Sequence, residues 1–377
     1  MLQYQSVILF VLVSVSLILP LKLKWYWRLL LALITALCAA KPFIYNYTGN
    51  WRDPNLPAGL ITVMESLYAA VLIAAVCALV ADIILLGYFI CCRLMHDKFK
   101  WRFNLVSGLI AAVALLQGFY GTYSQFEVPE IKVQRLEVNN LPSDLQGLRI
   151  VQLSDIHLGP TLKGEFLAGV VARVNELQPD VVLITGDLVD GTPEKMLPEF
   201  AAFKDLKATY GIYAVSGNHE YYSGFRQWQP LFEELGLNFL HNRSVSIQVG
   251  SSAINVAGVP DRRAAGFGFA GADVQQALSE LDPNAAYTIL MTHEPPLALE
   301  TAGQADLVLS GHTHGGTMFF LQPIVGYFNA DFVSGFYELP KGGRLYVSNG
   351  TGVWSGFPCR VGVSAEITFF VLTKAQS

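Results

Sequence analysis

Four long stretches in the first third of the chain are nearly free of charge, and they limit where that third can fold. Residues 4–21 carry no charged side chain, 29–47 only Lys41, 67–92 only Asp82, and 103–123 none. A helix crossing ~30 Å of hydrocarbon needs about 20 apolar residues, and all four stretches come close to that length. A buried soluble bundle is not expected to be so poor in charge. Trp25, Tyr26, Trp27 and Trp101 stand at stretch ends, where interfacial aromatics gather. The first stretch has no basic leader and no small-residue cleavage site, so it reads as an anchor and not a removed signal. The whole chain is 52% hydrophobic and 15% charged, against roughly 25% charge in average soluble proteins. That composition excludes a disordered chain.

The net charge of −5 hides a division. Residues 1–124 hold nine Lys/Arg against four Asp/Glu, and the remainder sixteen against twenty-six. An acidic second part is a poor surface for nucleic acid, so no nucleic-acid partner is expected. Lys22, Lys24 and Arg28 lie between stretches one and two. Arg93, Lys98, Lys100 and Arg102 lie between three and four, and only Lys41 and Arg52 between two and three. The positive-inside rule puts the two basic links in the cytoplasm. Four spans then return the C-terminal part to the extracytoplasmic side. Asp82 reads either as a polar contact holding the bundle or as a functional intramembrane acid. Of five cysteines only Cys359 lies beyond the apolar third, so no disulfide framework is expected there.

The second part alternates strand and helix. Residues 125–147 read as a connector with an edge strand at 131–138. Apolar runs at 148–153, 181–185 and 212–216 follow at ~30-residue spacing, with helical patterns at 166–177 and 194–207 between them; these are βαβ units. Further strands are expected at 245–249, 253–259, 288–292, 307–310, 345–348 and 365–372, where helices thin out and a second sheet is implied.

Five of these strands end in polar turns: Asp155-Ile156-His157, Gly186-Asp187, Gly217-Asn218-His219-Glu220, Thr292-His293 and Gly311-His312-Thr313-His314-Gly315. In open α/β sheets sites form at the carboxyl ends of strands, so these turns should converge. Of seven histidines, five fall in the turns; His96 and His241 are read as structural. Hard oxygen with imidazole, and no thiol, suits Mn, Fe or Zn. The donors exceed what one ion can hold. Two ions about 3.5–4 Å apart need a shared ligand, and Asp187, on the middle strand, has two oxygens to divide.

In this order the turns resemble the calcineurin-like metallophosphoesterase superfamily, with its D-x-H, G-D, G-N-H-[DE], H and G-H-x-H pattern. The resemblance is strong over residues 148–316 and looser over 131–373. It implies an αββα two-sheet sandwich with a dinuclear site: Asp155, His157 and His314 on one divalent ion, Asn218, His293 and His312 on the other, Asp187 bridging. His219 is similar to the family histidine that contacts phosphate or protonates the leaving oxygen. Glu220 replaces the commoner Asp and is expected to orient a ligand histidine. Ser154–Gly159 and His314-Gly315-Gly316 look most like a bacterial, membrane-associated branch; Thr317 stands where a Gln is common there. The expected organisation is a four-helix transmembrane region at 1–124, a connector and edge strand at 125–147, and the metallophosphoesterase domain at 148–377.

The chemistry follows from charge. Two divalent ions neutralise phosphoryl oxygens and lower the pKa of a bound water from 15.7 toward ~7. The resulting hydroxide attacks in line, and His219 gives the leaving oxygen a proton, a step worth ~10²–10⁴-fold. The expected activity is hydrolysis of phosphate mono- or diesters, with envelope or lipid-linked substrates at the bilayer. The alternatives are a cytoplasmic-facing lipid-precursor hydrolase, like UDP-2,3-diacylglucosamine hydrolases, and a non-catalytic metal-binding scaffold. Residues 317–340 read either as a buried hairpin or as an apolar lip for a lipid. Arg360 reads as a surface arginine or a phosphate contact.

Overall fold

The computed structural model describes residues 2–375. The chain divides into two compact units, Met1–Ser124 with Gly356–Cys359, and Gln125–Ser355 with Arg360–Ser377.

The first unit is helical: α1 Leu2–Val13, continued by a wide turn at Ser14–Ile18, α2 Trp25–Ala39, α3 Lys41–Thr48, α4 Ala58–Leu94 and α5 Phe103–Tyr123. Among the described residues, two helices, Ala58–Leu94 and Phe103–Phe126, are long and apolar enough to cross a membrane. The α2–α3 pair makes a third if its 47° bend is counted within one span. The apolar helix at Gln3–Ile18 is shorter than a span. The expected second span is therefore broken, and Lys41-Pro42 explains it. Pro42 has no amide to continue the α2 ladder and its ring crowds the preceding turn, whereas proline fits the first turn of the next helix.

Three buried or half-buried acid and base side chains in this unit, Asp82, Glu65 and Lys41, are paired. Asp82 accepts a hydrogen bond from Ser16 Oγ at 2.6 Å, which supports the bundle-contact reading. Glu65 lies inside α4 and is buried with Lys41 and Tyr45. Lys41 Nζ is 2.5 Å from Glu65 Oε2 and also donates to the Gly356 carbonyl, while Tyr45 donates to Glu65 Oε1 at 2.7 Å. Removing one partner of such a pair strands the other charge, at a cost of roughly 3–5 kcal/mol.

The second unit holds two six-stranded sheets. Its strands are β1 Ile131–Val138, β2 Arg149–Leu153, β3 Val181–Ile184, β4 Ile212–Ala214, β5 Asn238–Phe239, β6 Arg243–Val249, β7 Ser252–Gly258, β8 Tyr287–Met291, β9 Leu307–Ser310, β10 Gly335–Glu338, β11 Arg344–Val347 and β12 Ile367–Lys374. One sheet runs β1-β12-β2-β3-β4-β5 and the other β10-β11-β9-β8-β7-β6. β2 to β5 are mutually parallel, as are β7, β8, β9 and β11. β12 enters antiparallel to β2, so the sheets are mixed. β1 is an edge strand beside β12, as its alternating sequence predicts.

Both faces of the central strands are buried, which is why they read as continuous apolar runs. Ile150, Val181 and Leu183 of the first sheet pack with Ile254, Ile289, Met291 and Leu309 of the second, forming the layer between sheets. The opposite faces are covered by helices. Val151, Leu153 and Ile184 meet Phe166, Val170 and Val174 of α6 (Gly164–Glu176). Ala257, Leu290 and Val308 meet Val274 and Leu278 near the second sheet. The result is a two-sheet sandwich flanked by helices. The helix expected at 194–207 is one short turn, α7 Pro193–Met196, followed by a tighter 3₁₀ segment Leu197–Asp205. Pro193 and Pro198 fit helix starts and not interiors.

Candidate metal centre

All five polar turns lie just beyond the carboxyl ends of strands: β2 for Asp155 and His157, β3 for Asp187, β4 for Asn218 and His219, β8 for His293, β9 for His312 and His314. Parallel neighbours bring residues far apart in sequence to one end of the sandwich. The backbone is strained there. Asp155, His157, Asp187, His312 and His314 all have positive φ, between 49° and 70°. Each such non-glycine residue costs about 1–3 kcal/mol and persists only where surroundings hold it, commonly at functional sites.

The donors converge on Asp187. Its Oδ2 lies 3.5 Å from His157 Nε2 and 3.2 Å from His293 Nε2. On one side, His157 Nε2 and His314 Nε2 are 3.2 Å apart, and Asp155 Oδ1 is 3.4 Å from His314 Nε2. On the other, His312 Nδ1 lies 3.2 Å from His293 Nε2 and 3.1 Å from Asn218 Oδ1. Asp155–His157–His314, His157–Asp187–His219 and Asp155–Asp187–His293 each form a buried group able to hold an ion. His219 thus falls within reach of the donors, besides the leaving-group role inferred for it.

The chain's own contacts aim these donors inward. His293 Nδ1 donates to the Thr185 carbonyl at 2.8 Å, which turns Nε2 toward Asp187. The other Asp187 oxygen accepts from the His219 amide at 2.8 Å. Asp155 accepts from Ser154 Oγ at 2.5 Å and from the His312 amide at 3.1 Å. A Cβ at Gly311 would meet Ser154 Oγ and Asp155 Oδ2, so only glycine permits this approach.

The electrostatics suit cations. Burial pushes His312 down to about 4, with the His293 charge adding to it. His314 falls well below its usual value through burial and then the neighbouring His157 and Arg360. Burial works against charge on His293 too, but the Asp187 carboxylate outweighs it and raises that ring. The lowered rings of His312 and His314 fit divalent ions as they stand, since metals take histidine in its neutral form, and an ion would displace the proton that Asp187 favours on His293. His157 Nδ1 is buried without an aligned hydrogen bond, although Asp190 Oδ2 is 3.2 Å away.

Three residues depart from the sequence reading. Glu220, expected to orient a ligand histidine, instead accepts from the amides of Gly217, Asp187 and Leu188 at 2.6, 2.9 and 2.5 Å. It fixes the turn that carries Asp187. Burial, with the Asp187 charge, pushes its carboxyl up to about 7. Arg360 is neither a surface arginine nor a phosphate contact; it is buried and donates to the carbonyls of His314, Asn349 and Gly352 and to Gln125 Oε1. The third, Asp190, is a residue the sequence reading missed. Its Oδ1 accepts from His219 Nδ1. Burial opposes its ionisation, but the charges of His219 and His157 win and hold it below the usual carboxylate range. It was visible as the last residue of Gly186-Asp187-Leu188-Val189-Asp190. His241 is structural, with Nε2 3.2 Å from Ser216 Oγ and its ring against Phe225 and Phe239; burial lowers it to about 4. His96 lies in the first unit, away from these turns in sequence. Tyr222 and Trp354 flank His219, with ring centroids 5.5 and 6.1 Å away.

Imidazole and carboxylate donors at the carboxyl ends of two mixed sheets define a metal-dependent hydrolytic centre. The chain belongs to the calcineurin-like phosphoesterases, a family of metal-dependent phosphoesterases whose pattern it matches over residues 148–316. It is 34% identical over 285 residues to a zebrafish (Danio rerio) protein named transmembrane protein with metallophosphoesterase domain, covering 73% of this chain and 64% of that one. The protein of the same name from Bos taurus is 36% identical, over 74% of this chain and 65% of its own. The alignments thus span a little under two-thirds of these relatives. An uncharacterized metallophosphoesterase of Campylobacter jejuni is 35% identical, over 72% of this chain and 71% of its own.

Proposed function

We propose that this protein is a membrane-anchored phosphoesterase that hydrolyses phosphate mono- or diesters at a dinuclear centre, on envelope or lipid-linked substrates. The observation that carries the reading is the position of Asp187 Oδ2 between His157 and His293, one carboxylate oxygen common to both donor sets. Asp155, His157 and His314 would hold one ion and Asn218, His293 and His312 the other. When bound, Mn, Fe or Zn ions supply charge neutralisation for the phosphoryl oxygens and acidify a water.

The remaining steps belong to side chains. Asp190 accepts from His219 Nδ1, which fixes the ring. A protonated Nε2 on that ring can give a proton to the departing oxygen. Glu220 and Gly217 hold the Asp187 turn, and Arg360 holds the His314 carbonyl.

The test is to load the full chain in detergent with Mn²⁺, count the ions, and assay p-nitrophenyl phosphate and bis-p-nitrophenyl phosphate. Two ions per chain with turnover is the expected result. Full loading without turnover of either ester would favour a metal-binding scaffold. We further propose that the catalytic domain is extracytoplasmic, on the strength of the basic links at residues 22–28 and 93–102. Alkaline phosphatase fused after Ser377 should be active. An inactive fusion beside a fluorescent cytoplasmic reporter would bring forward the cytoplasmic lipid-precursor hydrolase.

A further inference from the structure

The segment after the metal histidines is the largest departure from ordinary soluble surface in the second unit. From Thr317 to Ala330 the chain carries no charged residue. It forms a 3₁₀ turn at Phe319–Leu321 and the helix α11, which we number after α8 Asn218–Tyr222, α9 Phe225–Glu234 and α10 Val274–Ser279, at Gln322–Phe328. Phe319, Ile324, Tyr327 and Phe328 are 59, 58, 79 and 73% exposed. The expected buried hairpin exists only further on, as β10 against β11. Contiguous exposed apolar surface on a folded domain marks an interaction site.

The segment is rigidly mounted. Gln322 Nε2 donates to the Gly315 carbonyl at 3.1 Å, one residue past His314. The Phe319 amide donates to Val361 O, and Val361 donates back to Thr317 O, each at 3.0 Å. Met318 is fully buried beneath it. Whatever takes up the apolar face is therefore held in fixed register with the histidine loop.

We propose that Phe319–Phe328 is a monotopic membrane contact that seats in the bilayer interface, and that it presents the metal centre to phosphate esters in lipid headgroups. Two observations favour a bilayer over a protein partner. The face offers aromatic and aliphatic side chains and no ion to pair; aromatic side chains with a polar tip, such as Tyr327, collect at lipid headgroups. The domain is also tethered beside a membrane: only four residues separate Phe126, where the last candidate span ends, from Ile131 at the start of β1. A residue reaches at most about 3.6 Å. The lipid-headgroup substrate class rests on the phosphoesterase reading above; the membrane contact does not.

The experiment uses the full chain in phosphatidylcholine–phosphatidylglycerol nanodiscs, with p-benzoylphenylalanine introduced as Phe328→p-benzoylphenylalanine or Tyr327→p-benzoylphenylalanine. Both positions are exposed aromatics, so the fold tolerates the probe. An equivalent probe at the exposed Glu234 of α9 is the control. Illumination should give phospholipid adducts at 327 and 328 and none at 234. Adducts at all three alike, a cross-link to a second copy, or no lipid adduct at 327 or 328 would overturn the proposal. Bis-p-nitrophenyl phosphate turnover, read on the same unmodified preparation, separates the two claims. Adducts without turnover leave the membrane seat and remove the phosphoesterase; turnover without adducts does the reverse.

Discussion

His219 donates its Nδ1–H to the buried carboxylate of Asp190, which also lies 3.2 Å from His157 Nδ1. One acid thus holds the inferred proton donor and lies beside an inferred metal ligand. Asp190→Asn keeps the volume but replaces the carboxylate that holds the His219 ring. Loss of such a supporting partner costs about 10–100-fold in activity. The expected outcome is that fall in kcat with both ions retained, read by elemental analysis beside steady-state rates. Unchanged kcat would remove Asp190 from the mechanism.

Asp187 and His219 should separate cleanly. Asp187→Asn weakens the oxygen common to both donor sets and should lose both ions and nearly all activity. His219→Ala should keep the metals and lose roughly 10²–10⁴-fold in rate. The measurement is metal content of the purified variants. An emptied site in His219→Ala would make it a ligand, in line with its place in the His157–Asp187–His219 group.

What the sequence made legible follows physical lines. The central strands were readable because burial on both faces leaves unbroken apolar runs, as at Val181–Ile184. The histidine turns were readable because His, Asp and Asn side chains, donors that suit a divalent ion, cluster just after apolar strands. Asp190 was overlooked because its role depends on a histidine 29 positions later. Glu220 was assigned to a histidine because its amide partners at Asp187 and Leu188 lie 33 and 32 residues away. The break between α2 and α3 was written in Lys41-Pro42 but hidden by the surrounding hydrophobicity.

Gly311 tests how closely the histidine loop must approach. An added methyl would strike Ser154 Oγ and Asp155 Oδ2. Gly311→Ala should fold, since overpacking costs about 1–3 kcal/mol, yet displace a carboxylate ligand. Mn²⁺ affinity, by calorimetric titration, should drop about tenfold or more. Wild-type affinity would show that the loop can shift without cost.

Cys359 is fully buried, and burial pushes its thiol up to about 12. Thiolate is the reactive form, and a raised pKa leaves the group protonated at neutral pH. A maleimide should leave Cys359 unmodified in the folded protein at pH 7 and modify it after denaturation, scored by peptide mass spectrometry. Fast labelling of the native chain would contradict this burial.

Arg360 is the residue whose role the structure changed most. Its guanidinium is buried and bonded to three carbonyls, those of His314, Asn349 and Gly352. Burial lowers it to about 10, which still leaves it charged through the physiological range. Arg360→Met fills similar volume but leaves the Asn349 and Gly352 carbonyls without this donor, while the His314 carbonyl keeps the Thr317 amide at 3.0 Å. Each buried polar group left unsatisfied costs about 1–3 kcal/mol. The expected outcome is a loss of roughly 2 kcal/mol or more in denaturant unfolding, together with weaker Mn²⁺ binding because the His314 carbonyl loses one of its two donors. A surface arginine contacting phosphate would behave differently, raising KM at unchanged unfolding midpoint. That pattern would return Arg360 to the substrate and remove it from the scaffold of the metal site.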